Sequence, residues 1–213
     1  ERGQSEAEDE ARVEAVRDAI GGGRVRIDVN GGWDVDHAVK MIKRLDRFDL
    51  EYVEQPCATL AELARVRRLV DVPIAADESI RRAEDPFKVV AAEAADIAVL
   101  KVQPLGGVRN ALRIAEAVGL PVVVSSALET SVGLAAGLAL AAALPTLPYA
   151  CGLATLSLLE GDVTDEGLVV ADGTIAVRRP EVGEPALRRY EIDGSAWRRR
   201  AAQAQSVLDG GDT

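Results

Sequence analysis

The sequence predicts an α/β protein of the (β/α)-barrel, TIM-type class, and two observations predict it. Short apolar runs alternate with helical patterns along most of the chain, which is typical of parallel β-α units with buried strands. The units have nearly equal lengths, which favours a barrel over a doubly wound open sheet, the alternative fold. A closed barrel needs eight strands and about 250 residues. With 213 residues and about six strands, the chain is expected to lack the N-terminal strands.

The individual elements are predicted from hydrophobic periodicity and from helix start and stop signals. The first helix covers residues 1–20, where alanines and valines recur among charges before three glycines at 21–23. The later helices are predicted at residues 35–47, 60–69, 86–94, 108–118 and 132–144. The strands are predicted at residues 25–29, 52–53, 72–76, 97–100 and 122–124, with a weak sixth at 148–150. Residues 1–152 therefore form the predicted barrel part.

The alternation stops after residue 152, so residues 153–213 are predicted to form a C-terminal segment that packs back on the barrel. Asp172 and Gly173 stand between two alternating apolar runs, which is a strong signal for a tight β-hairpin. Residues 194–213 are predicted to form a final helix with a frayed tail. The chain begins at Glu1, and its only methionine is Met41, so we expect that Glu1 is not the natural N-terminus.

The composition excludes several classes of function. Thirty-five acidic and 25 basic residues give a net charge of -10, which is opposite to the charge that binds nucleic acid or an anionic membrane. Two cysteines, Cys57 and Cys151, are too few for a disulfide scaffold, and no apolar run reaches the roughly 18 residues of a membrane span. The single histidine, His37, leaves acid–base chemistry to Lys, Asp and Glu. We expect a soluble, cytoplasmic protein that binds a small molecule.

A charged or polar residue ends each predicted strand at the same phase of its unit. Asp28, Glu54, Asp77, Lys101 and Ser125 are separated by 26, 23, 24 and 24 positions. The C-terminal ends of barrel strands converge on the active site, where three neighbouring carboxylates repel one another unless a cation is present.

The first three of these residues therefore predict a divalent metal site. Oxygen-only ligands favour Mg²⁺, with Mn²⁺ as a possible substitute. The alternative is that Asp28, Glu54 and Asp77 cap the following helices or pair with arginines.

Lys101 is a candidate catalytic residue because it alone among four lysines ends a predicted strand. Beside a metal ion it can serve as a base, an acid or a fixed positive charge, since burial and nearby cations lower the pKa of an amine. A Schiff base is a second possibility, which the metal carboxylates argue against. A simple salt bridge to Asp77 or Glu54 is the third.

Five further residues are candidates for binding the substrate: Arg26, Asn30, Ser125, Ser126 and Gly152. Arg26 and Asn30 stand two positions either side of Asp28, so they share its strand face. They can therefore reach the mouth of the barrel, where the C-terminal ends of the strands meet. Asn30 either binds a ligand or starts the turn that follows. Ser125 and Ser126 either bind a substrate carboxylate or cap the next helix.

Four segments taken together resemble the enolase superfamily. They are residues 26–30 (Arg-Ile-Asp-Val-Asn), 53–56 (Val-Glu-Gln-Pro), 75–79 (Ala-Ala-Asp-Glu-Ser) and 101–107 (Lys-Val-Gln-Pro-Leu-Gly-Gly). Residues 125–133 and 152–155 make the o-succinylbenzoate synthase family of the menaquinone pathway the closest likeness within it. The resemblance covers roughly residues 1–182.

The resemblance implies Mg²⁺ held by Asp28, Glu54 and Asp77, and removal of a proton α to a substrate carboxylate. The implied reaction is the syn dehydration of 2-succinyl-6-hydroxy-2,4-cyclohexadiene-1-carboxylate to 2-succinylbenzoate through an enediolate. Lys101 matches the family lysine on the far face of that intermediate. N-acylamino acid racemases and dipeptide epimerases share most of these motifs, so they are the alternative.

This sequence departs from the superfamily pattern in three respects. The usual base lies on a Lys-X-Lys motif that ends the second barrel strand, and no lysine precedes Lys40. We expect that motif upstream of Glu1, along with most of the α+β capping domain. Without the base, a barrel remnant that binds a metal or ligand and does not catalyse is the third hypothesis. Gln55, where many relatives carry a second acid after the ligand, is expected to have little effect on the number of ligands.

Overall fold

The fold is a curled half-barrel of parallel strands with helices packed on its outer face. We describe it from a computed structural model that covers residues 5–209. Neighbouring strands pair in chain order, and every pair is parallel. The strands are β1 (Val25–Asp28), β2 (Leu50–Glu54), β3 (Ile74–Ala76), β4 (Ile97–Leu100) and β5 (Val122–Val124). The predicted α/β class is confirmed.

The helices begin and end near the positions that the sequence indicates. They are α1 (Glu6–Ile20), α2 (Val35–Leu45), α3 (Leu60–Arg67), α4 (Asp85–Ala91), α5 (Val108–Val118), α6 (Ser131–Ala143), α7 (Glu184–Arg189) and α8 (Ser195–Leu208). Thr59 and Glu62 form a capping box at the start of α3. Gly119, with φ of 67°, ends α5 in the left-handed conformation that glycine adopts most easily. The short helix α7 is absent from the sequence-based prediction.

The two faces of the sheet bury different side chains. The outer face packs against the helices in the main core, which includes Met41, Leu63 and Ile74. The inner face carries a second cluster of Tyr52, Ala75, Ile97, Val99 and Val123, which Tyr149 contacts. Side chains alternate across a strand, so the residues two positions beyond this cluster also face inward. Those residues are Glu54, Asp77, Lys101 and Ser125.

The strand register brings the strand-end residues to one edge of the sheet. Asp28 lies level with Glu54, and the pairing of β4 with β5 sets Lys101 level with Ser125. Glu54 pairs with Ala75, two residues before Asp77, and the same step of two residues separates Asp77 from Lys101. The strands are therefore staggered in one direction, as the tilted strands of a barrel are.

The prediction of six strands is wrong for the described residues, because residues 148–150 form no strand. This part of the chain pairs with β5 only through one parallel bridge, between Ser125 and Gly152. Pro148 lacks a backbone N–H group, which removes one of the donors that a longer ladder would need.

The predicted hairpin is confirmed as a tight turn but not as a pair of strands. Ala171 and Thr174 exchange backbone hydrogen bonds of 2.8 and 2.9 Å around Asp172 and Gly173, which both have positive φ angles. The flanking valines are exposed, for example Val169 at 64%. An isolated hairpin without an apolar partner is only marginally stable, which explains why the pairing stops there.

The C-terminal segment is anchored to the start of α6. The Asp162 side chain accepts a hydrogen bond of 3.0 Å from the backbone N–H of Ser131, and the Ser131 hydroxyl accepts one of 2.8 Å from the Leu168 N–H. Asp162 thus caps α6 from a distant part of the chain. The predicted helical residues 1–4 and the predicted frayed tail at 210–213 lie outside the described residues.

No helix within residues 5–209 is long and apolar enough to cross a membrane.

Candidate functional site

The mouth of the half-barrel contains a short ion pair between Asp77 and Lys101, each of which directly follows a strand. The Lys101 ammonium lies 2.8 and 2.5 Å from the two carboxylate oxygens of Asp77. Both side chains are largely buried, with 13% of Lys101 and 6% of Asp77 exposed. The salt bridge considered as an alternative from the sequence is therefore present. Arg81, whose side chain is half-exposed, lies 3.5 Å from the same carboxylate.

Glu54 ends the strand between those of Asp28 and Asp77, and its surroundings oppose its charge. Burial, followed by the negative charges of Asp28 and Asp77, raises the pKa of Glu54 to about 8, although Lys101 counteracts this in part. A carboxyl group whose pKa is raised in this way needs either a proton or a cation nearby. Asp28 and Asp77 therefore lie near enough to Glu54 for their charges to oppose its ionisation.

Asn30 connects Asp28 to Glu78, a fourth carboxylate at this mouth. The Asn30 side-chain amide donates to Asp28 at 2.8 Å and to Glu78 at 3.2 Å, and the Asn30 backbone N–H donates to Asp28 at 2.9 Å. The second oxygen of Glu78, Oε2, is buried and accepts no hydrogen bond from the described residues. Asn30 thus orients Asp28 and also forms the turn, with φ of 50°.

These carboxylates fit a hard divalent cation by their chemistry. They supply only oxygen ligands, they crowd Glu54, and they include a buried oxygen without a partner. Within residues 5–209, however, no three acidic, histidine or cysteine side chains converge closely enough to surround an ion. In this structure Asp77 faces Lys101, and Asp28 faces Asn30.

Ser125, Ser126 and Gly152 come together at the far end of the sheet. The hydroxyls of Ser125 and Ser126 lie 3.3 and 3.1 Å from the Gly152 carbonyl oxygen, to which they donate. The Ser126 hydroxyl also lies 2.9 Å from that of Thr155. Neither hydroxyl bonds to the start of α6, so the helix-capping alternative is not observed.

Arg26 lies on the inner face but not among the strand-end groups. Its guanidinium donates to Glu51 at 2.6 Å, to the Tyr52 hydroxyl at 3.1 Å and to the Ala150 carbonyl at 2.8 Å. Its central carbon lies 4.9 Å from the centre of the Tyr52 ring. The face was predicted correctly by strand alternation, whereas these contacts do not support the prediction that Arg26 reaches the mouth.

The sequence reasoning missed one carboxylate near Lys101. Burial raises the pKa of Glu129, and hydrogen bonds from Ala127 and Gln103 together with the charge of Lys101 counteract this only in part. One Glu129 oxygen is buried and accepts no hydrogen bond from the described residues. Glu129 lies in the loop before α6, so the strand-end spacing could not identify it. Only the folded chain shows how closely Gly133 packs there, since a Cβ at that position would lie 3.0 Å from the Glu129 side chain.

Gln55 was noticed in the sequence but its contacts were not anticipated. Its side chain is fully buried, and it accepts hydrogen bonds from the backbone N–H groups of Asp77 and Ser79 at 3.0 and 3.1 Å. Such contacts depend on how β2 and β3 pack, so no local pattern could have shown them.

Comparison with known proteins places this geometry among related folds. The model of the family described as "Enolase C-terminal domain-like" matches residues 2–183. An o-succinylbenzoate synthase from Thermobifida fusca is 72% identical over 210 residues, which cover 98% of this chain and 66% of that protein. The o-succinylbenzoate synthase from Mycolicibacterium smegmatis is 58% identical over 187 residues, covering 87% of this chain and 57% of that protein. The chain thus spans less than two thirds of the length of these curated relatives.

Solved structures show the same fold. A muconate lactonizing enzyme from Pseudomonas fluorescens, complexed with muconolactone, superimposes with a TM-score of 0.82 at 30% identity, over 88% of this chain and 54% of that one. A dipeptide epimerase from Enterococcus faecalis superimposes with a TM-score of 0.72 at 31% identity, over 79% of this chain and 50% of that one.

Proposed function

The chain belongs to the enolase C-terminal domain-like family, and on that premise we propose that it supplies the metal-binding part of an o-succinylbenzoate synthase. The proposed reaction is the syn dehydration of 2-succinyl-6-hydroxy-2,4-cyclohexadiene-1-carboxylate to 2-succinylbenzoate, a carbon–oxygen lyase step of menaquinone biosynthesis. The proposal is made for the full-length protein, because the relatives that carry this name are longer than the chain.

One observation carries the proposal. The acids of three adjacent strand ends lie at one mouth, and the buried ammonium of Lys101 lies beside them, 2.5 Å from Asp77 at its closest. Removing a proton α to a carboxylate leaves two negative charges on one group, which requires concentrated positive charge at the mouth. The close similarity to several o-succinylbenzoate synthases supports this substrate class over others in the family.

Asp28, Glu54 and Asp77 are the proposed ligands of Mg²⁺, with Mn²⁺ as a substitute. When bound there, the ion would neutralise the negative charge that develops on the substrate carboxylate. The protein's own residues prepare for this role. Asn30 holds Asp28 by two hydrogen bonds, and the burial of Glu54 keeps its carboxyl poorly solvated, so that it gains much from a cation.

Lys101 is the proposed catalytic residue of this chain. Its position after β4 gives the mouth a fixed positive charge close to the carboxylates, and once Asp77 has another partner the ammonium is free to face the substrate. The Ser125–Ser126–Gly152 corner lies one strand further on, so we propose that it binds the distal end of the substrate. The base that the family resemblance implies, a Lys-X-Lys motif, does not occur within these 213 residues.

We further propose that the five strands belong to a closed eight-stranded TIM-type barrel. The strand-end residues step by 0, 2, 2 and 0 residues along the four strand pairs, an average of one per pair. An eight-stranded barrel of this class has a total shear of eight, so the stagger matches it. Residues 1–152 would form barrel and residues 153–213 would pack on it and on the α+β capping domain. The anchoring of Asp162 to α6 supports that division.

A cytoplasmic location is part of the same proposal. Cys57 and Cys151 are free thiols, and they lie far apart in the chain, as is usual for a protein of a reducing compartment.

The proposal is tested by Asp77→Asn in the full-length protein, assayed for dehydration of the cyclohexadiene substrate with Mg²⁺ present. The loss of one ligand charge should abolish turnover. Because Asn also leaves the buried Lys101 ammonium without its partner, circular dichroism measures the folded fraction, and turnover is compared per folded molecule. Asp172→Asn, in the exposed turn, is the matched control and should keep full activity. Dehydration by Asp77→Asn at the rate of the control would reject the site.

An N-acylamino acid racemase or dipeptide epimerase activity is the second candidate. The structural similarity to a dipeptide epimerase favours it, because that enzyme shares the fold of this chain. Incubation of the protein with N-acylamino acids in D₂O, followed by mass spectrometry, would show exchange of the α-proton. Exchange without dehydration favours the racemase, and metal binding without either activity indicates a binding protein.

A further inference from the structure

Gln55 joins three strand ends at the bottom of the candidate site. It follows Glu54 directly, its side chain is 0% exposed, and its backbone has φ of 38°. Its backbone N–H donates to the Ala75 carbonyl at 2.8 Å, and its backbone carbonyl accepts from the Gly31 N–H at 2.7 Å. The main chain of this one residue therefore links the ends of β1, β2 and β3.

Every donor and acceptor of the Gln55 side-chain amide has a partner. The partners lie in the segment that follows β3 and in the turn after Gln55 itself. The oxygen accepts from the N–H groups of Asp77 and Ser79 at 3.0 and 3.1 Å. The nitrogen donates to the Cys57 carbonyl at 3.0 Å and to the Ser79 hydroxyl at 2.8 Å. An amide has two acceptor lone pairs and two donor hydrogens, so each one is matched.

These partners define the orientation of the amide and distinguish it from a carboxylate. A flipped amide would point its N–H₂ group at two backbone N–H donors and its oxygen at a carbonyl. A glutamate would place a carboxylate oxygen against the Cys57 carbonyl and would add a buried charge beside Glu54. Glutamine is thus the side chain that matches both the two donors above it and the carbonyl below.

We infer that Gln55 is a positioning residue that fixes the Asp77 carboxylate relative to Glu54 and Asp28. It does not ligate the metal itself. It holds the backbone of Asp77 and Ser79, so that the side chain of Asp77 projects into the mouth at a constant distance from the other acids. The number of proposed ligands is therefore the same as expected from the sequence, and the role of Gln55 is to orient one of them. The inference rests on the proposed function only in taking Asp77 as a ligand.

The first experiment titrates Mn²⁺ into the Gln55→Met variant and into the wild-type full-length protein. Electron paramagnetic resonance measures the bound and free Mn²⁺. Methionine keeps the volume and removes all four side-chain hydrogen bonds. Loss of groups that orient a ligand typically lowers metal affinity about 10–100-fold, and we expect a weakening in this range. Gln55→Glu keeps the acceptor for Asp77 and Ser79, so it should retain more affinity than Gln55→Met.

Val66→Ala is the control for lost stability. Val66 lies in α3, is fully buried in the outer core and is not among the residues at the mouth. It should lower the melting temperature without changing Mn²⁺ affinity. Equal affinity in Gln55→Met and the wild type, or equal weakening in Gln55→Met and Val66→Ala, overturns the inference.

A second readout needs no metal. Amide hydrogen exchange of Asp77 and Ser79, measured by NMR in the presence of a chelator, should accelerate in Gln55→Met and stay slow in Val66→Ala. If the wild-type protein binds no Mn²⁺, the proposed metal site fails, and the exchange rates alone decide the role of Gln55. Slow exchange of both amides in Gln55→Met overturns that role.

Discussion

The Lys101 ammonium bridges both carboxylate oxygens of Asp77, at 2.8 and 2.5 Å, although the two residues follow different strands. The pair is largely shielded from water, and its lysine is the only one of the chain's four that follows a strand. In this arrangement Lys101 is the counter-ion of a site whose acids would otherwise repel one another.

Lys101→Met should destabilise the metal-free protein substantially. Breaking a buried ion pair leaves one charge without its partner and typically costs about 3–5 kcal/mol. Urea denaturation in the presence of a chelator would measure the loss, and excess Mg²⁺ should restore part of it by neutralising Asp77. Lys88→Met, which removes an exposed pair with Asp85, should change stability little. Similar losses in both variants would show that the pair at the mouth has no special weight.

The stability of the metal-free protein should fall as the pH rises from about 4.5 to about 8. Burial and two neighbouring acids raise the pKa of Glu54 from 4.5 to about 8. The folded state therefore holds a proton that the unfolded state has already released, so raising the pH favours unfolding over this interval. Urea denaturation at several pH values should show this slope, and Glu54→Gln should flatten it. A slope unchanged by Glu54→Gln would contradict the assignment to Glu54.

Gly152→Ala should impair substrate binding more than it impairs folding. A Cβ at this position would lie 2.8 Å from the Ser125 hydroxyl oxygen, so Ser125 must move. Misplacement by about 1 Å can cost as much as about 100-fold in rate, and we expect kcat/KM to fall mainly through KM. Gly22→Ala, where the added carbon meets no atom within 4 Å, is the control. Unchanged kinetics in Gly152→Ala would show that this corner does not contact the substrate.

Asp162→Ala should loosen the C-terminal segment from α6. The change removes the acceptor for the Ser131 N–H, and loss of a helix cap typically costs about 0.5–2 kcal/mol. Limited proteolysis should then cleave within the C-terminal segment that follows residue 152, at a lower protease concentration than in the wild type. Asp71→Ala, an exposed change in the loop before β3, should leave the cleavage pattern as it is. Identical digestion of both variants would argue against the anchor.

The strand-end residues were predictable because they depend on a local rule. A constant spacing of 23 to 26 positions placed Asp28, Glu54, Asp77 and Lys101 at equivalent points of successive units, and the register of the sheet brings them to one edge. The hairpin turn at Asp172 followed from a two-residue rule in the same way. Features of this kind need no knowledge of which elements pack together.

The remaining features depend on tertiary packing, which no window of sequence contains. The side of Arg26 followed from alternation, but its partners Glu51 and Ala150 are 25 and 124 positions away. Residues 148–150 have the apolar character of a strand, yet this part of the chain pairs with its neighbour only through one bridge. In the sequence Gln55 looks like a neutral substitution. Only the structure shows that its side-chain oxygen accepts hydrogen bonds from the backbone N–H groups of Asp77 and Ser79.

Gln55 combines a left-handed backbone with an amide whose hydrogen-bonding groups are all matched. This combination limits which residue types can occupy the position. A backbone with φ of 38° disfavours β-branched residues, whereas Asn and Gly adopt it readily. Asn is one methylene too short to reach the partners of Gln55, and Gly offers no amide. In a library of all single substitutions selected for folded protein, position 55 should therefore tolerate few residues.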